Sequence, residues 1–320
     1  MKHNLHYLWR VILAALISLA LYTDRVIADW ASPYYADHPL VGKIYAPAKQ
    51  DWASRAEVEQ ALNSSDYLLL GETHSNPDHH IGQARLITEY LRVKSKAVIV
   101  FEMLEVSSWR RSGEVWDELD SLLAKVKELA PRWGWDIYQP ILKVAIDRQL
   151  PIYASNLNRE ELAKFHKSAQ CSHTRGGKTL EFCDTINSSQ HAAVKELIFD
   201  AHCGYVPREQ LDALVNMQIA RDASFALSML NAHEIAAPVL ITGAVHARKD
   251  IGVPVHLRAN GVKSLSIVFL SVDPNRKSPH EYFEADLGLQ YDYIYFTPSE
   301  RNTDPCVEFA EQLKKIKTHQ

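Results

Sequence analysis

The sequence predicts an α/β fold: a mostly parallel β-sheet flanked by helices, with a smaller inserted helical domain. Three observations lead there. Short continuous apolar runs, DYLLLG at 66–71, AVIVF at 97–101 and PVLIT at 238–242, lack polar alternation, as strands covered on both faces require. Between the first two lies a stretch of helical periodicity, which makes a βαβ unit. Residues 158–236 hold no comparable apolar run, only polar helical stretches and a Gly-rich loop flanked by Cys171 and Cys183.

A chain of 320 residues with 47% hydrophobic content can bury a sizeable core. Its net charge is only −4 and its basic residues are scattered, which excludes the electrostatic footprint of a nucleic-acid binder.

The elements follow in chain order. Residues 1–28 read as a secretory signal peptide: MKHNLHYLWR is a basic n-region, VILAALISLALYT an apolar h-region short for a bilayer span, and Val26-Ile27-Ala28 offers small-residue cleavage chemistry. An uncleaved anchor is the alternative, since Asp24 and Arg25 interrupt the approach to the cleavage site. No cysteine precedes Cys171, so nothing supports a lipoprotein anchor. The expected location is exported, periplasmic or membrane-associated. A Tyr/Pro-rich lead-in over 29–65 is expected to run extended over the surface. The sheet domain comprises 66–157 and 237–320. After the strand at 66–71, a helix over 77–93 opens on Pro77 and places Ile81, Ala84, Ile87 and Leu91 on one side. Further helices are expected at 109–129 and 138–149, and strands at 151–154, 265–270 and 291–296, the last near an edge. The helical insertion spans 158–236.

Export makes disulfides plausible. Cys171 and Cys183 close a short loop and form one candidate pair; Cys203 and Cys306 could form another, but four cysteines allow three pairings.

In an open parallel sheet, ligands bind beyond the carboxyl ends of the strands. Three of the apolar runs lead into polar residues there: Glu72 and His74, Glu102, and His246. If the strands are parallel neighbours, two carboxylates and two imidazoles meet on one rim. Such a set could ligate Zn²⁺, Mn²⁺ or Fe²⁺ with an activated water, or do acid–base work without metal. Taken singly, Glu72 could equally cap a helix and His74 fill a polar pocket. His79 and His80 are expected to shape the first turn of the next helix. GGKT at 176–179 is no phosphate loop, because Ser172 stands where the first glycine belongs and no strand precedes it. His233-Glu234 lacks a zincin's second histidine, and neither G-x-S-x-G nor G-x-G-x-x-G occurs.

GETHSNPDHH, VIVFEML, GWDIYQPIL, AHCGYVP and GAVHARKDIGVPVHL, in that order over 66–257, resemble the landmarks of the ChaN-like haem-binding uptake proteins, of the Tiki, TraB and erythromycin-esterase superfamily. The resemblance implies an exported haem carrier rather than an enzyme. It also implies haem held by a tyrosine at a homodimer interface, with basic side chains on the propionates. Phenolate is a hard ligand suited to ferric haem. The candidate tyrosines are Tyr205 and Tyr138, then Tyr34 and Tyr35. His202 lies beside Tyr205, while His246, Arg248 and Lys249 are the basic cluster for the propionates. The same superfamily supplies a rival, a metal-dependent hydrolase, because Gly71-Glu-Thr-His74 and Gly243-Ala-Val-His246 resemble Tiki metal motifs and Glu72, His74, Glu102 and His246 resemble the esterase acid–base set. An outer-membrane haem receptor is a further expected partner.

Overall fold

The computed structural model describes residues 30–109, 113–167, 171–282, 290–308 and 310; the leader read at 1–28 lies outside them. Strand β3 (Leu68–Glu72) is the natural starting point, because all five of its residues are buried. It pairs in parallel with β8 (Ala237–Gly243) on one side and β9 (Leu265–Ser271) on the other, with Leu70 opposite both Ile241 and Ile267. Strand β4 (Ala97–Glu105) joins the far side of β8, and β5 (Ile152–Asn156) follows it, both parallel. Beyond β9 lies β10 (Tyr293–Thr297), again parallel.

The lead-in departs from expectation. Instead of crossing the surface, it adds β1 (Ile44–Ala46) and β2 (Asp51–Trp52) antiparallel beyond β10, giving the order β2-β1-β10-β9-β3-β8-β4-β5. Leu40, Tyr45 and Ala46 are buried in the process. β10 therefore lies inside the sheet, its outer hydrogen bonds taken by β1, which blunts an otherwise open edge.

Because side chains alternate across a strand, the apolar runs feed two cores. Leu69, Val98, Val100 and Leu240 face one side, while Leu68, Leu70, Ile99, Phe101, Val239 and Ile241 face the other. The second face is covered by α1 (Arg55–Ser64), α2 (Pro77–Val93), α3 (Leu119–Leu129) and α4 (Gln139–Asp147). Helix α2 begins at Pro77 as expected, but its buried stripe runs through His80, Gln83, Ala84, Ile87 and Tyr90 rather than Ile81 and Leu91. The helix expected from Trp109 starts only at Leu119. Gly113, at φ +85°, turns the chain, and Glu114 bridges antiparallel to Ile152 along the outer edge of β5.

The stretch 158–236 contains α5 (Arg159–Lys167), a hairpin of β6 (Ser172–Arg175) and β7 (Lys178–Glu181), α6 (Ser188–Ala201) and α7 (Leu211–Ala232). The GGKT segment is the hairpin turn: Gly176 and Gly177 both have positive φ, as a two-residue turn of that kind needs. Helix α7 is buried almost all round in its second half and lies on the first face of the sheet, together with α8 (Val253–Ala259). Ser224 Oγ on α7 donates to the Ser155 carbonyl of β5 at 2.6 Å. Residues from Ser32 onward form one compact unit, so α7 is part of the sheet's covering layer. The disulfides pair Cys171 with Cys183 and Cys203 with Cys306. Among the described residues no helix is long and apolar enough to cross a membrane.

Candidate functional site

The strand order β3-β8-β4 brings the carboxyl ends of three adjacent strands together, and the rim read from the sequence forms there. Glu72 is the last residue of β3, Glu102 lies in β4, and His246 sits in a short turn, Ala244–Ala247, directly after β8. Glu102 Oε2 accepts from Thr242 Oγ1 at 2.6 Å and from the Gly243 N–H at 2.7 Å. Its Oε1 faces His246 Nε2 at 3.4 Å and His74 Nε2 at 3.8 Å. On the other side of the rim, Glu72 Oε1 accepts from His74 Nδ1 at 2.9 Å and from the Tyr138 hydroxyl at 2.6 Å.

Two residues join this network that sequence reasoning missed. His80 Nδ1 lies 2.8 Å from Glu72 Oε2, so His80 belongs to the rim rather than merely to a helix turn. The periodicity of α2 carried the signal, since His80 heads its buried stripe. Asp222, on α7, accepts from His246 Nδ1 at 2.6 Å. Its parent helix was assigned to the insertion, so nothing in the local pattern pointed it at the rim. His79, by contrast, is a structural histidine. Its Nδ1 accepts from the Thr73 N–H at 2.8 Å, its Nε2 faces Thr297 Oγ1 at 2.9 Å, and burial pushes it down to about 3.

Electrostatics make the rim a set of internal ion pairs. Burial alone would raise Glu72, but His80 and His74 outweigh it and hold the carboxyl at about 2. Burial likewise opposes ionisation of Glu102, yet His246 and His74 keep it well below the usual carboxylate range. His246 goes the other way: burial would lower it, but Glu102 and Asp222 raise it to about 10. Burial lifts Asp222 to about 6 against the pull of His246. His74 and His80 are also raised, their carboxylate neighbours overcoming desolvation.

This pairing lends no support to the metal reading of Glu72, His74, Glu102 and His246. Each donor has a partner within the set, and among the described residues no group of three or more His, Cys, Asp or Glu is arranged to hold a metal ion. What the arrangement can do is hold and move protons, through the line Glu102, His246, Asp222.

The other predicted residues are dispersed. Tyr138 is fully buried, stacked 3.8 Å from the His80 ring, and burial with Glu72 beside it pushes its phenol far up. Tyr205 and His202 lie half-buried on the loop after α6, pinned by the Cys203–Cys306 bridge, with His202 Nδ1 donating to the Ile198 carbonyl at 2.7 Å. Arg248 is held by Asp250 in a two-pronged contact at 3.0 and 2.6 Å, and Lys249 by Asp292. The expected basic cluster for propionates is therefore neutralised within the chain.

A family model described as haem-binding uptake, Tiki superfamily, ChaN, matches residues 58–257. Among solved structures, one of cofacial haem binding to ChaN of Campylobacter jejuni is similar, with a TM-score of 0.64, 21% identity, and coverage of 79% of this chain and 95% of that one. An open-conformation mutant of the erythromycin esterase EreC (TM-score 0.47, 11% identity, 82% and 99% coverage) and the type III effector HopBA1 (0.40, 11%, 82% and 98%) are more distant. No curated protein matches the sequence. With the family model covering most of the chain, and the rim and the Tyr205 loop both inside it, this protein belongs to the ChaN family of haem-binding uptake proteins in the Tiki superfamily.

Proposed function

We propose that this protein binds haem for iron acquisition outside the cytoplasm, with Tyr205 as the iron ligand and the cofactor enclosed at a homodimer interface. The observation that carries the proposal is the family match over residues 58–257. The two candidate ligands fit haem unequally. A ferric-haem ligand must present a phenolate, and Tyr138 is sealed in the core with its hydroxyl given to Glu72. Tyr205 fits better, being half-buried on a loop fixed by a disulfide, where a planar ligand can approach. Bound haem would supply a Lewis-acidic iron and two carboxylates; the chain's part is to offer the phenolate and to shield the iron from water. An exported leader and an outer-membrane receptor as partner complete the proposal.

The test is a hemin titration of the protein followed by Soret absorbance and by mass in size-exclusion chromatography. Saturable binding coupled to dimer formation, lost in Tyr205→Phe, is expected; no saturable Soret change overturns the proposal.

A second activity, metal-free acid–base hydrolysis, is favoured by the Glu102–His246–Asp222 line. It predicts cleavage of a small ester that disappears in His246→Ala, and it is discarded if that variant hydrolyses as fast as the parent.

A further inference from the structure

Three connections meet at the end of the sheet opposite the rim. Residues 94–96 lead from α2 into β4, 148–151 from α4 into β5, and 233–236 from α7 into β8. These strands are neighbours, with Ala97 level with Ala237 and Ile99 level with Ile152, so the connections lie side by side. Among them is a cavity of about 550 Å³, within the range of small-molecule sites. Leu91, Leu150, Pro151 and Ile235 give it apolar walls, and its two charged lining residues, Lys96 and Arg148, are both cationic. Among the described residues neither of these side chains has a hydrogen bond or an ion pair. The acids near them in sequence are committed elsewhere: Asp66 to Lys94 at 2.7 Å, Asp147 to Lys143 at 2.8 Å and Glu234 to Lys178 at 2.6 Å. Helix ends favour cations, and Lys94 shows the form this takes, its Nζ donating to the Asn63 carbonyl in the last turn of α1 at 3.0 Å. Lys96 and Arg148 make no such bond, so their donors remain open to a ligand.

We propose that this cavity binds an aliphatic monocarboxylate, its carboxylate taken by Lys96 and Arg148 and its chain laid on Leu91, Leu150 and Ile235. The lining selects that class. No acid lines the cavity, so an anion meets attraction without repulsion from the walls. A guanidinium fork takes a carboxylate two-pronged, and an ammonium adds a second point of charge. No aromatic ring lines the cavity either, which leaves aliphatic walls suited to a chain rather than to a stacked ring. Ile235 is 53% exposed, apolar surface that such a chain takes out of water. A small acid without a chain would gain little, because both cations are exposed and their attraction is screened by solvent. The site lies at the far end of the strands from Glu102 and His246 and rests neither on the rim nor on the haem reading.

Octanoate, octanamide and acetate are titrated calorimetrically into the wild-type protein and into the double variant Lys96→Gln with Arg148→Gln. Both side chains are exposed and have no described partner, so the double variant is expected to keep the parent melting midpoint. The expected result is saturable octanoate binding about tenfold tighter than octanamide, a ratio reduced to about one in the double variant, with acetate far weaker than octanoate in the wild type. Lys96→Arg keeps the charge and is expected to keep the preference for the acid. The proposal is overturned by no saturable octanoate binding in the wild type, by a preference for the acid that survives in the double variant, or by acetate binding as tightly as octanoate.

Discussion

His246 Nδ1 donates to Asp222 Oδ1 across 2.6 Å, a bond that ties helix α7 to the turn after β8. It joins the layer over the sheet to the rim, and it fixes which imidazole nitrogen faces Glu102.

Replacing Asp222 with Asn is therefore expected to lower the titration midpoint of His246 from about 10, since one of the two acids holding it up is gone. NMR titration of the His246 ring reads this directly. The sign for stability follows from the raised value: stabilisation is complete below the unfolded midpoint of 6.5 and is lost as pH rises through about 10. An unchanged midpoint in Asp222→Asn would show that the carboxylate does not act on the ring.

Acid should unfold the protein through Glu72. Its folded value of about 2 lies below the ordinary 4.5, so its stabilisation is present above pH 4.5 and is lost as pH falls through 2. The linkage amounts to at most about 3 kcal/mol. Urea unfolding midpoints measured between pH 2 and pH 6 should fall less steeply for Glu72→Gln than for the parent.

Tyr138 and Tyr205 should separate cleanly. Tyr138→Phe removes a buried hydrogen bond to Glu72 and should cost about 1–3 kcal/mol of stability while leaving the hemin Soret band unchanged. Tyr205→Phe should remove the band. Reversal of that pattern would move the iron ligand to the rim.

The Cys203–Cys306 bridge spans 103 residues of chain, so its loss should destabilise the fold by about 2–5 kcal/mol. Because the bridge also anchors the loop of Tyr205, the Cys203→Ser and Cys306→Ser double variant should bind hemin more weakly even at temperatures where circular dichroism shows it folded.

The parallel core was legible because LLLGE and AVIVF are continuous apolar runs, and the rim because polar residues follow them at strand ends. The lead-in strands were not, since IYA and DW are too short to carry a periodicity and owe their conformation to β10. Tertiary pairing decided them, as it usually does for short strands. Asp222 was hidden for a different reason. On a helix that mixes polar and apolar residues and is buried nearly all round in its second half, no local pattern says which turn reaches a site built by strands elsewhere.

Strand β8 lies between β3 and β4 although it is made long after both, and Thr242 meets Glu102 across 140 residues of sequence. Two strands that are neighbours in the chain must thus stay apart until the third arrives. Such non-local closure is slow relative to forming a helix or hairpin. A chain still being synthesised, before β8 is made, has part of the rim's residues but not the rim itself. The Glu102–Thr242 contact and the His246 pairing arrive as late events of maturation, and a nascent or truncated chain lacking β8 has neither.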